Sequence, residues 1–342
     1  MKNRSYMFCL MGLVAIWLAA CDIKKPEYPK HGSPRLTTTI SSDGKLVAAL
    51  DRTGTKAPRL RIKWVDKDEP WQALPAPKFT SDIRFALKGY DLLLAHDLPD
   101  NLDMAQITRW DVSDLSKESQ MIHQGPWFAF PLEVKPGEYL VRTCAPQGQD
   151  FQQRDKNSCQ TRGLGSYWVY LKPEHAPVRV TPKDIQPVYS QPNVTDKGFF
   201  WISDYVVGGA YNKDTSRPKH PILLSYAFPG GEAPKFEVEH LSPESRVKCD
   251  RTSQRCLRLY LAGTDPKTRL FVYDHEVLYR GQTCQPEGLQ GYADEASVTP
   301  DGRAAVIPLA TRNSETRRVV VLRFEDGQCK PTSIQHFSFE EK

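Results

Sequence analysis

Beyond its first twenty or so positions the 342-residue chain holds no apolar run of the roughly 18 residues that a spanning helix needs. With a mean hydropathy of −0.52, that argues against a polytopic helical membrane protein. Charge of one sign is lacking too, since 46 Lys+Arg stand against 41 Asp+Glu. Domains that neutralise phosphates cluster their cations and run more basic than a pI of 8.6, so nucleic acid is not an expected partner. Strong helical periodicity is missing, and the best candidate, Leu115 to Met121, is short and polar. No G-x-S-x-G, P-loop, H-E-x-x-H or C-x-x-C occurs. No catalytic residue, metal site or cofactor is therefore expected. What remains is globular composition, 39% hydrophobic and 25% charged, with 27 Pro and 21 Gly.

The first twenty residues read as a targeting segment. Lys2 and Arg4 supply a charged start and Tyr6 to Trp17 a short apolar stretch. Leu18-Ala19-Ala20-Cys21 follows and resembles the lipobox of bacterial lipoproteins. The resemblance implies cleavage before Cys21, acylation of its thiol and anchoring to a bilayer from the periplasmic face. Several acyl chains give the stable attachment that one would not, at about 0.8 kcal/mol per buried methylene. Asp22 resembles the aspartate that keeps enterobacterial lipoproteins in the inner membrane, with the outer membrane as the alternative. Residues 21–35, with Pro26, Pro29, Pro34 and Gly32, read as an extended tether reaching roughly 45 Å. The folded domain is expected over 36–342 as a monomer.

Without Cys9 and Cys21, six cysteines remain: Cys144, Cys159, Cys249, Cys256, Cys284 and Cys329. In an oxidising compartment an even number suggests disulfides, and six cysteines allow fifteen pairings. The order of spacing suggests Cys144–Cys159, Cys249–Cys256 and Cys284–Cys329.

Strand signals dominate the rest. Leu46–Leu50, Tyr90–Leu94, Tyr167–Leu171, Ile222–Tyr226, Leu270–Tyr273 and Val319–Leu322 are apolar, β-branched or aromatic runs. Turns recur at Asp43-Gly44, Lys88-Gly89, Pro136-Gly137, Lys197-Gly198, Ser253-Gln254 and Asp301-Gly302, spaced by 45, 48, 61, 56 and 48 residues. A period near fifty fits one four-stranded propeller blade. The first unit would use Leu36–Ser41, Lys45–Asp51, Leu60–Val65 and a segment near Trp71–Leu74. The last would use Ala293–Thr299, Arg303–Ala310, Arg317–Phe324 and Ser333–Phe339. Asp-Gly supplies the positive φ of a tight turn, which makes Asp43, Gly44, Asp301 and Gly302 structural.

Ser41-Ser42-Asp43-Gly44-Lys45-Leu46-Val47-Ala48 and Val298-Thr299-Pro300-Asp301-Gly302-Arg303-Ala304-Ala305-Val306 resemble the S-P-D-G-[KR] repeats of TolB-like, WD40-like bacterial propellers. That resemblance implies an all-β, six-bladed propeller, with seven blades or a β-sandwich as alternatives.

Few residues suggest chemistry. Ser245-Arg246-Val247-Lys248 fits S-x-x-K, but on a strand. Asp97, Asp100, Asn101 and Asp103 share a loop without the ring spacing of a Ca²⁺ site, and read as a solvated acidic turn. Asn193-Val194-Thr195 fits a glycosylation acceptor that a bacterial chain normally leaves bare. Arg312, Arg317 and Arg318 read either as exposed cations for an acidic partner or as charges on a solvated strand edge. The excursions Ala145–Ser166, Val207–Pro221 and Gly281–Ala293 suit recognition loops. The expectation is a docking platform for an envelope protein or peptide. The alternatives are a propeller enzyme, hydrolase or lyase, with a dispersed site, and a small-ligand or cation-binding module.

Overall fold

A computed structural model describes residues 36–52, 58–101, 104–125, 127–144, 166–172, 174–180, 192–203, 222–228, 232–239, 241, 245–264, 271–293, 296–310 and 317–339. The targeting segment, Cys21, Asp22 and the tether lie outside them, as do Asp103, Cys159, Arg312 and the side chain of Cys144. So do most of the excursion from Ala145 to Ser166 and all of that from Val207 to Pro221.

Six antiparallel sheets follow one another along the chain. Blade 1 holds β1 (Leu36–Ile40), β2 (Leu46–Asp51), β3 (Arg59–Trp64) and β4 (Gln72–Leu74). Blade 2 holds β5 (Thr80–Phe85), β6 (Asp91–Asp97), β7 (Ala105–Asp111) and β8 (Gln120–Gly125). Blade 3 holds β9 (Trp127–Lys135), β10 (Glu138–Cys144), β11 (Ser166–Leu171) and β12 (Val178–Arg179). Blade 4 holds β13 (Asn193–Val194), β14 (Gly198–Ser203) and β15 (Ile222–Ala227). Blade 5 holds β16 (Arg246–Cys249), β17 (Arg255–Thr264), β18 (Phe271–Tyr279) and β19 (Gln282–Cys284). Blade 6 holds β20 (Tyr292–Ala293), β21 (Ser297–Val298), β22 (Ala304–Ala310), β23 (Arg317–Arg323) and β24 (Ser333–Ser338). The architecture is a six-bladed propeller. Blade 4 shows three strands among the described residues. The innermost strand of blade 6 is split into β20 and β21 rather than running unbroken from Ala293 to Thr299. The excursion Gly281–Ala293 is not wholly irregular, since it contains β19 and β20.

Apolar packing closes the ring. Period-2 alternation sends successive side chains of a strand to opposite faces, and in each blade both faces are covered by neighbours. Leu46, Ala48 and Leu50 of β2 meet Ile83, Leu92 and Leu94 of blade 2, while Val47 and Ala49 meet Val306, Val319 and Val321 of blade 6. Leu93 and Ile107 pack on Tyr139 and Val169, and Trp168 and Leu140 on Phe199 and Trp201. Phe200 and Ile202 pack on Val247 and Cys256, and Leu257 and Val277 on Ile307 and Val320. Six clusters thus fill six blade interfaces. Burial on both faces is why the inner strands read as continuous apolar runs.

Among the described residues blade 1 is built from the N-terminal strands and blade 6 from the C-terminal ones, with no strand shared across the seam between them. Side chains bond the seam instead. Arg61 Nη1 donates to Phe339 O (2.9 Å) and Trp71 Nε1 to Ser338 O (2.8 Å). Arg317 of β23 forms a short ion pair with Asp51 of β2, both buried. This corrects the sequence expectation for Arg317. Its strand lies between β22 and β24, so the charge faces the next blade rather than solvent.

Two disulfides are present among the described residues. Cys249–Cys256 joins directly opposed residues of β16 and β17, and Cys284–Cys329 ties β19 to the β23–β24 connection. Cys144–Cys159 falls outside the described residues.

Candidate functional site

The turns between the first two strands of blades 1, 5 and 6 are built to one plan. In blade 1, Ser41 Oγ donates to Asp43 Oδ1 (2.7 Å) and accepts from Leu46 N (2.9 Å), while Gly44 N donates to Ser41 O (2.9 Å). Blade 6 repeats it with Thr299, Asp301, Ala304 and Gly302 at 2.7, 3.0 and 2.9 Å. Gly44 and Gly302 have φ of +72° and +71°, the conformation that the Asp-Gly pair predicts. In blade 5, Asp250 takes the Ser/Thr position: its carboxylate accepts from Gln254 N (3.1 Å) and Arg255 N (3.2 Å). Ser253 there adopts a φ of +58° without being glycine. Blade 4 departs from the plan. Gly198 has no positive φ and is the first residue of β14. It is glycine because a Cβ would come within 2.0 Å of Tyr226 O. Thr195 organises this shorter turn, accepting from Lys197 N and Gly198 N (3.2 and 3.1 Å) and donating to Gly198 O (3.0 Å).

These turns share one flat face, where the innermost strands end around the axis. There a cavity of about 120 Å³ is lined from all six blades, by Ile40, Arg84, Glu133, Asn193, Lys248 and Val298 among others. Hydrogen bonds between blades fix its wall. Phe85 N donates to Thr39 Oγ1 (3.1 Å). Glu133, 2% exposed, accepts from Leu87 N (2.8 Å) and Gly137 N (3.0 Å) and pairs with Arg109 (3.4 Å). Asn193 clamps blade 4 to blade 5, donating to Val247 O (3.1 Å) and accepting from Cys249 N (2.9 Å). The side chain read as a glycan acceptor is thus buried in a blade interface.

The cavity is charged. Arg84 pairs with buried Asp82 (3.4 Å) and donates to Ile83 O (2.7 Å). Arg251, on the turn after β16, reaches across from blade 5. Its Nη2 lies 3.5 Å from Glu133 O and its Nη1 4.0 Å from Asp196 Oδ1. Burial pushes its pKa below the ordinary arginine value, against the pull of Asp196 and Glu133. Beside the cavity, burial and the Glu133 charge push the Tyr139 phenol up to about 12. Burial likewise pushes the Asp250 carboxyl up, and the hydrogen bonds to it only partly oppose that.

The other candidates are dispersed. Ser245 immediately precedes β16 and Lys248 lies within it, so the S-x-x-K pattern sits at a strand and not at a helix start. Asp97 ends β6, and Asp100 and Asn101 lie in the turn beyond it. Among the described residues no three His, Cys, Asp or Glu side chains form a group able to hold a metal ion. The sequence reasoning named none of the charged cavity residues as such, although Lys248 appeared within S-x-x-K. The usable signal was positional: they lie at or just before each turn, or within it.

No family model matches the sequence and no curated protein matches it. Among solved structures, TolB from Acinetobacter baumannii is similar in fold, with a TM-score of 0.54 at 12% identity over 83% of this chain. The match covers 62% of that structure, so this chain spans less than two thirds of its length. The β-propeller domain of the Trilobed protease from Pyrococcus furiosus matches with a TM-score of 0.45 at 10% identity, over 88% of this chain and 83% of that domain. An acylaminoacyl peptidase of Pyrococcus horikoshii matches with a TM-score of 0.49 at 11% identity, over 88% of this chain and 46% of its own.

Proposed function

We propose that this protein is a lipid-anchored envelope lipoprotein whose propeller is a docking platform for a protein or peptide, received at the axial mouth on the turn face. One observation carries the reading. Six blades converge on a small, charged cavity whose wall is locked by hydrogen bonds between blades, a pre-formed surface that loses little entropy on binding. The lipobox at Leu18–Cys21 and the tether supply the address and the reach; Asp22 favours the inner membrane. Palmitate labelling tests the anchor: wild-type protein should carry label and Cys21→Ala should not, and an unlabelled wild type refutes it. Crosslinked capture in envelopes tests the docking. Ser42 lines the cavity and is only partly buried, so Ser42→Trp should block the mouth. Captured partner should fall at least tenfold while stability shifts by no more than about 0.5 kcal/mol, as surface substitutions usually do. Undiminished capture refutes the mouth as the docking site.

A further inference from the structure

We infer that the axial cavity is a carboxylate-binding site with Arg251 as its fork, and that the carboxylate is the chain terminus of the docked partner; this rests on the docking reading. Arg251 carries five N–H donors in a planar array that matches a carboxylate two bonds at a time. Its guanidinium is largely buried, with a side chain 15% exposed. Yet among the described residues the guanidinium makes one long hydrogen bond of 3.5 Å and one ion pair at 4.0 Å. A desolvated cation held so loosely is costly, and an arriving anion offsets that cost. The lowered pKa of Arg251 has the same origin.

The charges facing it select the anion. Arg84, Lys248 and Arg251 bring cations to the wall, where Asp82 stands against Arg84 and Glu133 against Arg109. Glu133 is already engaged by two backbone N–H groups and Arg109. Asp250 is held within its own turn, beside Arg255. Asp196 stands at the rim with its side chain 76% exposed, where water and salt screen it. Arg251 thus offers an arriving anion one planar fork, the geometry that a carboxylate matches with two parallel bonds. The available space decides how it enters. About 120 Å³ is the share of roughly four water molecules, room for the end of a chain presented along the axis.

Calorimetric titration of the intact protein with N-acetyl-triglycine, its C-terminal amide and N-acetyl-Gly-Glu-Gly amide tests this. The free acid should bind at least tenfold more tightly than either amide, and its affinity should fall as salt rises. Arg251→Gln should lose at least tenfold and Arg251→Lys less, because the charge stays and the fork goes. Arg303→Gln, which removes an exposed ion pair with Asp326 on the same face, should stay within twofold. Each variant's melting temperature is checked against wild type. Equal binding of acid and amide, no binding of either, or an unaffected Arg251→Gln overturns the site. Equal binding of the internal Glu peptide overturns the assignment to a terminus. If the acid fails to bind while Ser42→Trp still abolishes capture, docking stands and the carboxylate site falls. If capture fails but the acid binds through Arg251, the reverse holds.

Discussion

Gly89 and Gly302 have nearly the same backbone, with φ of +70° and +71°, but different surroundings. A Cβ at Gly89 would meet nothing within 4 Å, whereas one at Gly302 would lie 2.5 Å from Asp250 Oδ2 and 3.1 Å from Asp250 Cβ. Alanine at either position incurs the left-handed penalty, about 1–2 kcal/mol. At Gly302 it must also displace a buried carboxylate from the N–H groups of Gln254 and Arg255. Leaving such groups unsatisfied costs roughly 1–3 kcal/mol more. The same shift disturbs Gly302 O, which accepts from Arg255 Nη1 at 2.6 Å. Gly89→Ala should therefore cost about 1–2 kcal/mol and Gly302→Ala about 2–5. Urea denaturation under oxidising conditions, with calorimetry beside it, reads both, at roughly 2–4 °C of melting temperature per kcal/mol for a chain this size. Gly44→Ala, whose Cβ would lie 2.9 Å from Ala304 Cβ, should fall between them. If Gly302→Ala is no worse than Gly89→Ala, the turns are independent hairpins and their packing on the preceding blade contributes nothing.

Two further outcomes follow from buried charge. His275 is fully buried, with Nδ1 3.3 Å from Leu289 O, and burial pushes its pKa from 6.5 down to about 4. The ring is neutral in the fold and binds a proton more readily when unfolded. Its stabilising effect is thus complete above about pH 6.5 and lost as pH falls towards 4, amounting to roughly 3 kcal/mol. The stability difference between pH 7 and pH 4.5 should shrink by about 2 kcal/mol in His275→Phe, and an unchanged difference refutes the assignment. At the seam, Asp51→Asn should cost about 3–5 kcal/mol because Arg317 keeps its charge in a buried site. Asp51→Asn with Arg317→Met should recover part of that in a double-mutant cycle, and strict additivity would show that the pair does not act as one.

The ring was legible because its physics is local. An Asp-Gly pair needs only four or five neighbours to define its turn, and the blade 1 and blade 6 networks repeat atom for atom because Ser41 and Thr299 both carry a hydroxyl at the same offset. Strands covered on both faces advertise themselves as apolar runs, as β2 does with every residue buried. Prediction weakened where a different cause produced the same letter. Gly198 looks like the other turn glycines, but close approach of Tyr226 O demands it rather than a positive φ. Arg317 looks like an edge charge until β24 covers that edge and Asp51 arrives from the far end of the chain.

The candidate site was hidden for a geometric reason. Its wall draws one short stretch from each blade, so residues in contact are separated by whole repeats: Asn193 is held by Cys249 N, and Arg251 faces Glu133. No motif of fixed spacing spans such distances, and the lining types differ from blade to blade because each turn satisfies its own bonds in its own way. Asp250 replaces a hydroxyl, and Glu133 serves two turns at once through Leu87 N and Gly137 N. The repeat sets where a side chain must stand, and departures from the repeat set what it can do there. Arg251 follows Asp250, which holds the Ser/Thr position of blade 5, so it stands where blade 1 has Ser42 and blade 6 has Pro300. A long cation in that place is not needed to form the turn. That makes it the residue of this face whose chemistry is explained best by something outside the chain.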